Sequence, residues 1–183
     1  LQQVSNNQKC FTMDTENKNQ IKSYLTFKLG NEEFAAHVSK VLNILEMTPI
    51  TKVPKAPDYL KGVINLRGAV LPVIDTRIKF GMPETEYTNN TCIIVLDIDV
   101  DGESVHVGAI VDSVQAVLEI DNSQIMPLPT LGSRYKSEFI IGMAKVEERF
   151  IIILNMDAIF SVDEITSIVD SNQSVAEGTD AQQ

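Results

Sequence analysis

The chain has no tryptophan, and aromatic residues make up 6% of it, so a surface of stacking rings for bases or sugars is hard to assemble. It has two histidines, His37 and His106, and two cysteines, Cys10 and Cys92. None of these stands at metal-ligand spacing from another, and the two cysteines have no evident disulfide logic, which makes a reducing compartment the default. No apolar run approaches the roughly 18 residues of a membrane span, and no signal peptide is visible. No direct membrane insertion is therefore expected. Cations are scarce: 15 Lys and Arg stand against 25 Asp and Glu, a net charge of −10. That balance argues against nucleic acid, whose phosphates require a basic face. Also missing are a Gly-x-Gly-x-x-Gly or Walker loop for phosphate, a Gly-x-Ser-x-Gly elbow, and a cysteine paired with a base. No enzyme and no cofactor are expected.

What is present begins with Gly62–Phe80, where Asn65-Leu66-Arg67-Gly68 reads as a turn and Val70–Ile74 as a strand buried on both faces. Asn folds onto its own backbone and Gly tolerates positive φ, so the turn pushes Arg67 outward. Pro72 has no N–H to give a ladder, so a free edge or a bulge is expected there. Arg67 reads equally as a solvated turn residue or as an interface anchor.

The stretch occurs twice. At an offset of eighty, Tyr59-Leu60 falls on Phe139-Ile140, Gly62 on Gly142, Leu66 on Val146, Leu71 on Ile151, Val73-Ile74-Asp75 on Ile153-Leu154-Asn155, and Phe80 on Phe160. At an offset of seventy-three, Val38, Val41, Ile44-Leu45-Glu46-Met47 fall on Val111, Val114, Val117-Leu118-Glu119-Ile120. The blocks come in the same order, which implies a tandem duplication with halves near 22–80 and 92–160 and two similar lobes sharing an interface.

Residues 1–20 are polar and aperiodic and are expected to be a disordered leader, with Met13 as a natural start. Strands are expected from Ser23, with a Gly30-Asn31 turn and a return over Phe34–Val38. A short helical turn should then run into a strand near Val41. Pro49, Pro54 and Pro57 forbid a long helix, though Pro57 can open a short one over Asp58–Lys61, closed by Gly62. Thr76–Phe80 reads as one helical turn. In the second half, Cys92–Ile98 and Val105–Val111 should pair across an Asp101-Gly102 turn. Residues 130–137 read as a polar loop and Phe150–Leu154 as a second buried strand. Ser161-x-x-Glu164 caps a helix with an apolar stripe of Ile165, Ile168 and Val169, before a disordered tail; 164–183 is thus a terminal helix and tail. Asp97-x-Asp99-x-Asp101-Gly102 opens like a calcium loop, but its twelfth position is Gly108 where a bidentate Glu is needed, so a solvated acidic hairpin is favoured. His37 and His106 read as half-buried strand histidines. Asp75 and Asp112 read as acceptors closing their strands.

Against this reading, Phe34–Val41, Tyr59–Gly68, Pro72–Asp75 and Arg77–Phe80 together resemble the CheW family of bacterial chemotaxis coupling proteins. Gly108–Asp112 with Val114, and Phe139–Phe160, resemble that family's second half. The likeness spans roughly 22–165, within a domain of 21–163, and the Asn-Leu-Arg-Gly run is its most specific motif. It includes no receiver or ATPase domain, which favours a stand-alone coupler. The resemblance implies a mainly β fold: two five-stranded, SH3-like barrel lobes around a shared core, with short helical turns. It implies an adaptor, cytoplasmic and recruited to receptor arrays, that joins the cytoplasmic tips of methyl-accepting chemoreceptors to the regulatory domain of the CheA histidine kinase. Carried over from the family's receptor groove, Arg67 matches outright, Val41, Cys92 and Val117 fall at groove positions, and Asn43 stands where many relatives have an acid. The competing reading is a small β-barrel that binds a small ligand or oligosaccharide on exposed strands.

Overall fold

The computed structural model describes residues 20–128 and 137–159. The expected leader, the C-terminal helix and tail, and the loop expected at 130–137 lie outside the described residues, except that Ser137 opens a 3-10 turn, Ser137–Phe139. Within them the protein is mainly β, with eleven strands in two sheets. In chain order these are β1 (Ile21–Leu29), β2 (Glu32–His37), β3 (Val41–Glu46), β4 (Leu60–Leu66), β5 (Ala69–Asp75), β6 (Cys92–Val100), β7 (Glu103–Val111), β8 (Ser113–Asp121), β9 (Ile125–Met126), β10 (Ile140–Val146) and β11 (Arg149–Leu154). Two single-turn helices, α1 (Thr76–Lys79) and α2 (Met156–Ile159), follow β5 and β11.

One sheet runs β8-β1-β2-β11-β10-β9 and the other β3-β6-β7-β5-β4. The duplication is visible in the registers. In β4–β5, Leu60 faces Ile74, a bulge follows, and Gly62 faces Val73; in β10–β11, Ile140 faces Leu154, a bulge follows, and Gly142 faces Ile153. Each hairpin's second strand then pairs parallel with a neighbour, β5 on β7 and β11 on β2. The two halves nevertheless interleave. β1 and β2 of the first half sit in the six-stranded sheet, while β3, β4 and β5 sit in the five-stranded one with β6 and β7. The sequence halves are thus not the spatial units, because the chain changes sheet after β2 and again after β7.

Period-two alternation explains why both faces of these strands are apolar. On β6, Ile93 and Val95 enter one outer core with Ile64, Leu71, Val73 and Ile110, while Ile94, Leu96 and Ile98 turn the other way. On β11, Ile151 and Ile153 join Tyr24, Ala35, Ile120 and Ala144 in a second outer core, while Leu154 turns inward. The inward residues of both sheets meet in one central core, through which Phe27, Phe34, Phe80 and Phe139 run with successive ring centroids 5.7–6.3 Å apart. Each sheet therefore wraps a small core of its own and shares a third.

The turns follow their chemistry. Arg67 and Gly68 both have positive φ (53° and 88°), the type I′ pattern that matches strand twist, and the Gly68 N–H donates to Asn65 Oδ1 at 2.8 Å. Asp101 and Gly102 repeat it at the acidic hairpin, where the Gly102 N–H donates to Asp99 Oδ1 and Ser104 Oγ to Asp97 Oδ1. Val63 exchanges both backbone bonds with Thr51, so its partner Pro72 points its nitrogen away from β4. On that far side the ladder with β7 starts only at Val73, so the missing N–H interrupts no pairing with β7. β5 is nonetheless an inner strand with Pro72 buried, so the expected free edge or bulge is not found there.

Further expectations are corrected. Val70–Ile74 and Phe150–Leu154 are not buried throughout: Val70 and Phe150, next to their turns, are 57% and 54% exposed, and Ile152 is half-buried. Asp58–Lys61 is not helical: the chain turns with the Leu60 N–H on Pro57 O, and Lys61 and Gly62 already belong to β4. The strand wins because Leu60, Gly62 and Ile64 are buried on one face at period two. His106 is exposed on β7 rather than half-buried.

Candidate functional site

The candidate residues lie on three elements. β3 and β8 are edge strands of different sheets, equivalent by the offset of seventy-three. Val41 on β3 and its counterpart Val114 on β8 both pack against the central core, and so does Cys92 at the head of β6. Cys92 pairs with Glu46 of β3 on one side and Val111 on the other. Burial pushes its thiol pKa up, and a backbone hydrogen bond with Val114 works against that shift. A thiol held neutral in this way packs as a small apolar side chain and is a poor nucleophile. Val41, Val114 and Cys92 are thus half-buried apolar positions along the seam where the two sheets meet in the central core, with Val41 and Cys92 at opposite ends of the β3–β6 ladder.

Outward from the seam the edge strands carry exposed apolar side chains. Val117 on β8 is 57% exposed; on β3, Leu42 is 50% and Ile44 43% exposed. Ile44 and Val117 are themselves equivalent by the repeat, a signal in the sequence that singled out Val117 and not Ile44. Asn43 uses its Oδ1 to accept the Ile44 N–H at 2.8 Å, beside a bulge between Val41 and Asn43.

Arg67 stands apart from these four in the strand order. It lies exposed at the tip of the β4–β5 hairpin, on the edge of the five-stranded sheet opposite to β3. Its counterpart in the second hairpin is Glu147, which has the same left-handed φ (55°). The hairpin geometry therefore accepts either charge, and the turn does not demand a cation at this position.

The remaining polar candidates act within the fold. Asp75, 2% exposed, caps α1, its Oδ1 accepting the N–H groups of Arg77 and Ile78. The Asp112 carboxylate accepts the Gly30 N–H at 2.6 Å and Arg77 Nη1 at 2.5 Å. His37 caps the 3-10 turn Val38–Lys40 through its Nδ1. Among the described residues, no three His, Cys, Asp or Glu side chains gather as a metal-ligand set, and no helix is long and apolar enough to cross a membrane.

The class so defined is a two-sheet β protein, its halves interleaved, with two equivalent edge strands that each set a valine against the shared central core. Comparison with known proteins gives the family: residues 23–164 match the CheW-like domain, and the chain belongs to that family. It is 36% identical to the chemotaxis protein CheW of Klebsiella aerogenes over 79% of this chain and 85% of that protein. Identity to the chemotaxis protein CheW of Rhizobium meliloti is also 36%, over 76% of this chain and 88% of the relative. The crystal structure of the scaffolding protein TtCheW from Thermoanaerobacter tengcongensis superposes with a TM-score of 0.70 at 32% identity, covering 79% of this chain and 96% of that one.

Proposed function

We propose that this protein is a non-enzymatic chemotaxis adaptor of the cytoplasm, joining the tips of methyl-accepting chemoreceptors to the regulatory domain of a CheA kinase in receptor arrays. The observation that carries this reading is the family match across 142 residues, from 23 to 164, with relatives named as chemotaxis proteins over 85% and 88% of their length. Geometry adds support. A receptor tip is helical in this reading, and a helix docks by laying an apolar stripe on an apolar groove. Val41 and Cys92 supply the floor of such a groove, Val117 one exposed wall and the strand around Asn43 the other. Arg67, at the sheet edge opposite to β3, serves as a separate charge contact outside that groove, and the repeat shows that its turn can be built with Glu147. A guanidinium offers bidentate donors to acidic groups that a lysine does not.

Titration of the Arg67→Glu protein against a receptor-tip fragment and against the kinase regulatory domain tests this. Receptor affinity is expected to fall by about thirtyfold, or about 2 kcal/mol, as charge-assisted bonds are lost and like charges face each other. Kinase affinity should hold, because that partner is expected at the ends of the lobes. The melting point should hold as well. Unchanged receptor affinity, or an equal loss towards both partners, makes Arg67 a solvated turn residue.

A further inference from the structure

Arg77 on α1 and Asp157 on α2 are equivalent by the offset of eighty, and each reaches a point where the chain changes sheet. Asp112 is the single residue between β7 of the five-stranded sheet and β8 of the six-stranded one. Lys40 is the last residue before β3, where the chain crosses the opposite way after β2. Arg77 Nη1 donates to Asp112 Oδ2 at 2.5 Å, and the Gly30 N–H of the β1–β2 turn donates to the same oxygen at 2.6 Å. Lys40 Nζ donates to Asp157 Oδ1 at 2.7 Å, and the Asp99 N–H of β6 donates to that same oxygen at 2.9 Å. At each crossing one carboxylate oxygen gathers a cation and a backbone N–H, and the three groups come from both sheets.

The polarity is reversed between the two crossings. In the first joint the acid lies on the crossover and the cation on the helix; in the second the cation lies on the crossover and the acid on the helix. Descent of both halves from one sequence does not by itself produce this, because the matched residues are not alike. A tie required at both crossings does. The residues immediately beyond the ties open the two edge strands: Val41 follows Lys40, and Ser113 follows Asp112.

We infer that Arg77–Asp112 and Lys40–Asp157 are positioning pairs that hold the two sheets at one angle and so fix the spacing between edge strands β3 and β8. The inference concerns that spacing alone and stands whatever occupies the seam. Both pairs are partly buried, the first more deeply (15% and 28% exposed, against 29% and 36%), so salt screens the second more readily. None of the four paired residues belongs to the three apolar cores, so loosening the joints should widen the range of angles without unfolding the sheets.

The test is a distance measurement by pulsed electron paramagnetic resonance. Spin labels go on Ile44→Cys and Val117→Cys in the full chain, with Cys10 and Cys92 changed to alanine. A single narrow distance is expected with both joints intact. Asp112→Asn combined with Asp157→Asn should broaden or displace it while the urea transition stays cooperative. Lys40→Met, which keeps the Asp99 bond to Asp157, gives a milder variant that reads the same distance if the double variant fails to fold; it should broaden the distribution less. Lys61→Met breaks the Lys61–Glu84 pair, which spans no crossing, and should change nothing. An unchanged distance in the joint variants, or equal broadening from Lys61→Met, overturns the inference.

Discussion

Gly62 and Gly142 fill the same place in two hairpins eighty residues apart, and at both a crossing segment lies where a side chain would stand. A Cβ on Gly62 would come 2.1 Å from the Thr51 carbonyl oxygen, and one on Gly142 2.7 Å from that of Met126 and 2.6 Å from Ile125 Cγ2. The crossing segments are equivalent too, since Thr51 bridges Val63 and Met126 pairs with Met143. Each hairpin is thus bulged and stripped of one side chain so that a third segment can close on it.

Gly62→Ala is therefore expected to be far worse than Gly68→Ala. Both positions have positive φ, at 143° and 88°, but nothing lies within 4 Å of a Cβ on Gly68. Substitution at Gly68 should cost about 1 kcal/mol, the price of left-handed backbone strain. At Gly62 backbone must move as well, and the loss should exceed about 3 kcal/mol, as overpacking adds to that strain. Urea melts of the two variants decide it; equal losses would mean that the crossing segment yields freely.

Neighbours on β11 should differ as sharply. Ile153 is fully buried in the outer core of the six-stranded sheet, whereas Phe150 is 54% exposed on the same strand. Ile153→Ala should cost about 2–5 kcal/mol, the usual range for a truncated core isoleucine. Phe150→Ser should stay within about 0.5 kcal/mol, as surface changes do. The repeat extends this to β5, where Val70, the counterpart of Phe150, is also exposed.

Much of this was legible in the chain, for a physical reason. Strands with apolar residues on both faces leave short apolar runs, and turns with positive φ leave Gly, Asn or Asp, so β5, β11 and the hairpin turns at Gly30, Gly68 and Gly102 stood out, though the exposure of Val70 and Phe150 did not. The repeat carried the matched hairpins. The interleaving of the halves did not show, because strand exchange between sheets depends on where β3 and β8 lie after their crossings, and each crossing is only a few residues long. Asp112 stood out as an acceptor, but its partner Arg77 and the pair Lys40 and Asp157 escaped for the same reason: the repeat sets Arg77 against Asp157, and unlike residues leave no pattern. The helix expected over Asp58–Lys61 failed because proline and aspartate also start a tight turn, and period-two burial from Leu60 decided the outcome.

Cys92 should be slow to alkylate. Its thiol is pushed up by burial, so at pH 8 little of it is thiolate, and approach to it is restricted. Modification by iodoacetamide, read at the peptide that contains Cys92, should be about tenfold slower in the native protein than in urea. Equal rates would show a reactive thiol at the seam.

His37 should make the protein less stable in mild acid. Its pKa lies below the ordinary 6.5, first because burial disfavours the charged ring and then because Lys22 and Lys40 repel it. Asp157 is close by as well, but it is engaged with Lys40. The neutral ring uses Nδ1 to accept the Ser39 N–H at 3.2 Å, a bond that a protonated Nδ1 cannot make. Between the folded pKa and 6.5 the unfolded chain binds more protons than the folded one, so stability rises with pH across that window. The contribution is complete above 6.5 and is lost as pH falls through the folded value. Lys22→Gln removes one repelling charge and should raise the His37 pKa, narrowing the window. An NMR titration of the two histidines gives the pKa directly, and urea melts at pH 5 and pH 7 give the linked stability. His37→Asn should flatten the difference between those melts. A His37 that titrates at or above 6.5, or a pH dependence unmoved by its replacement, would remove it as the source.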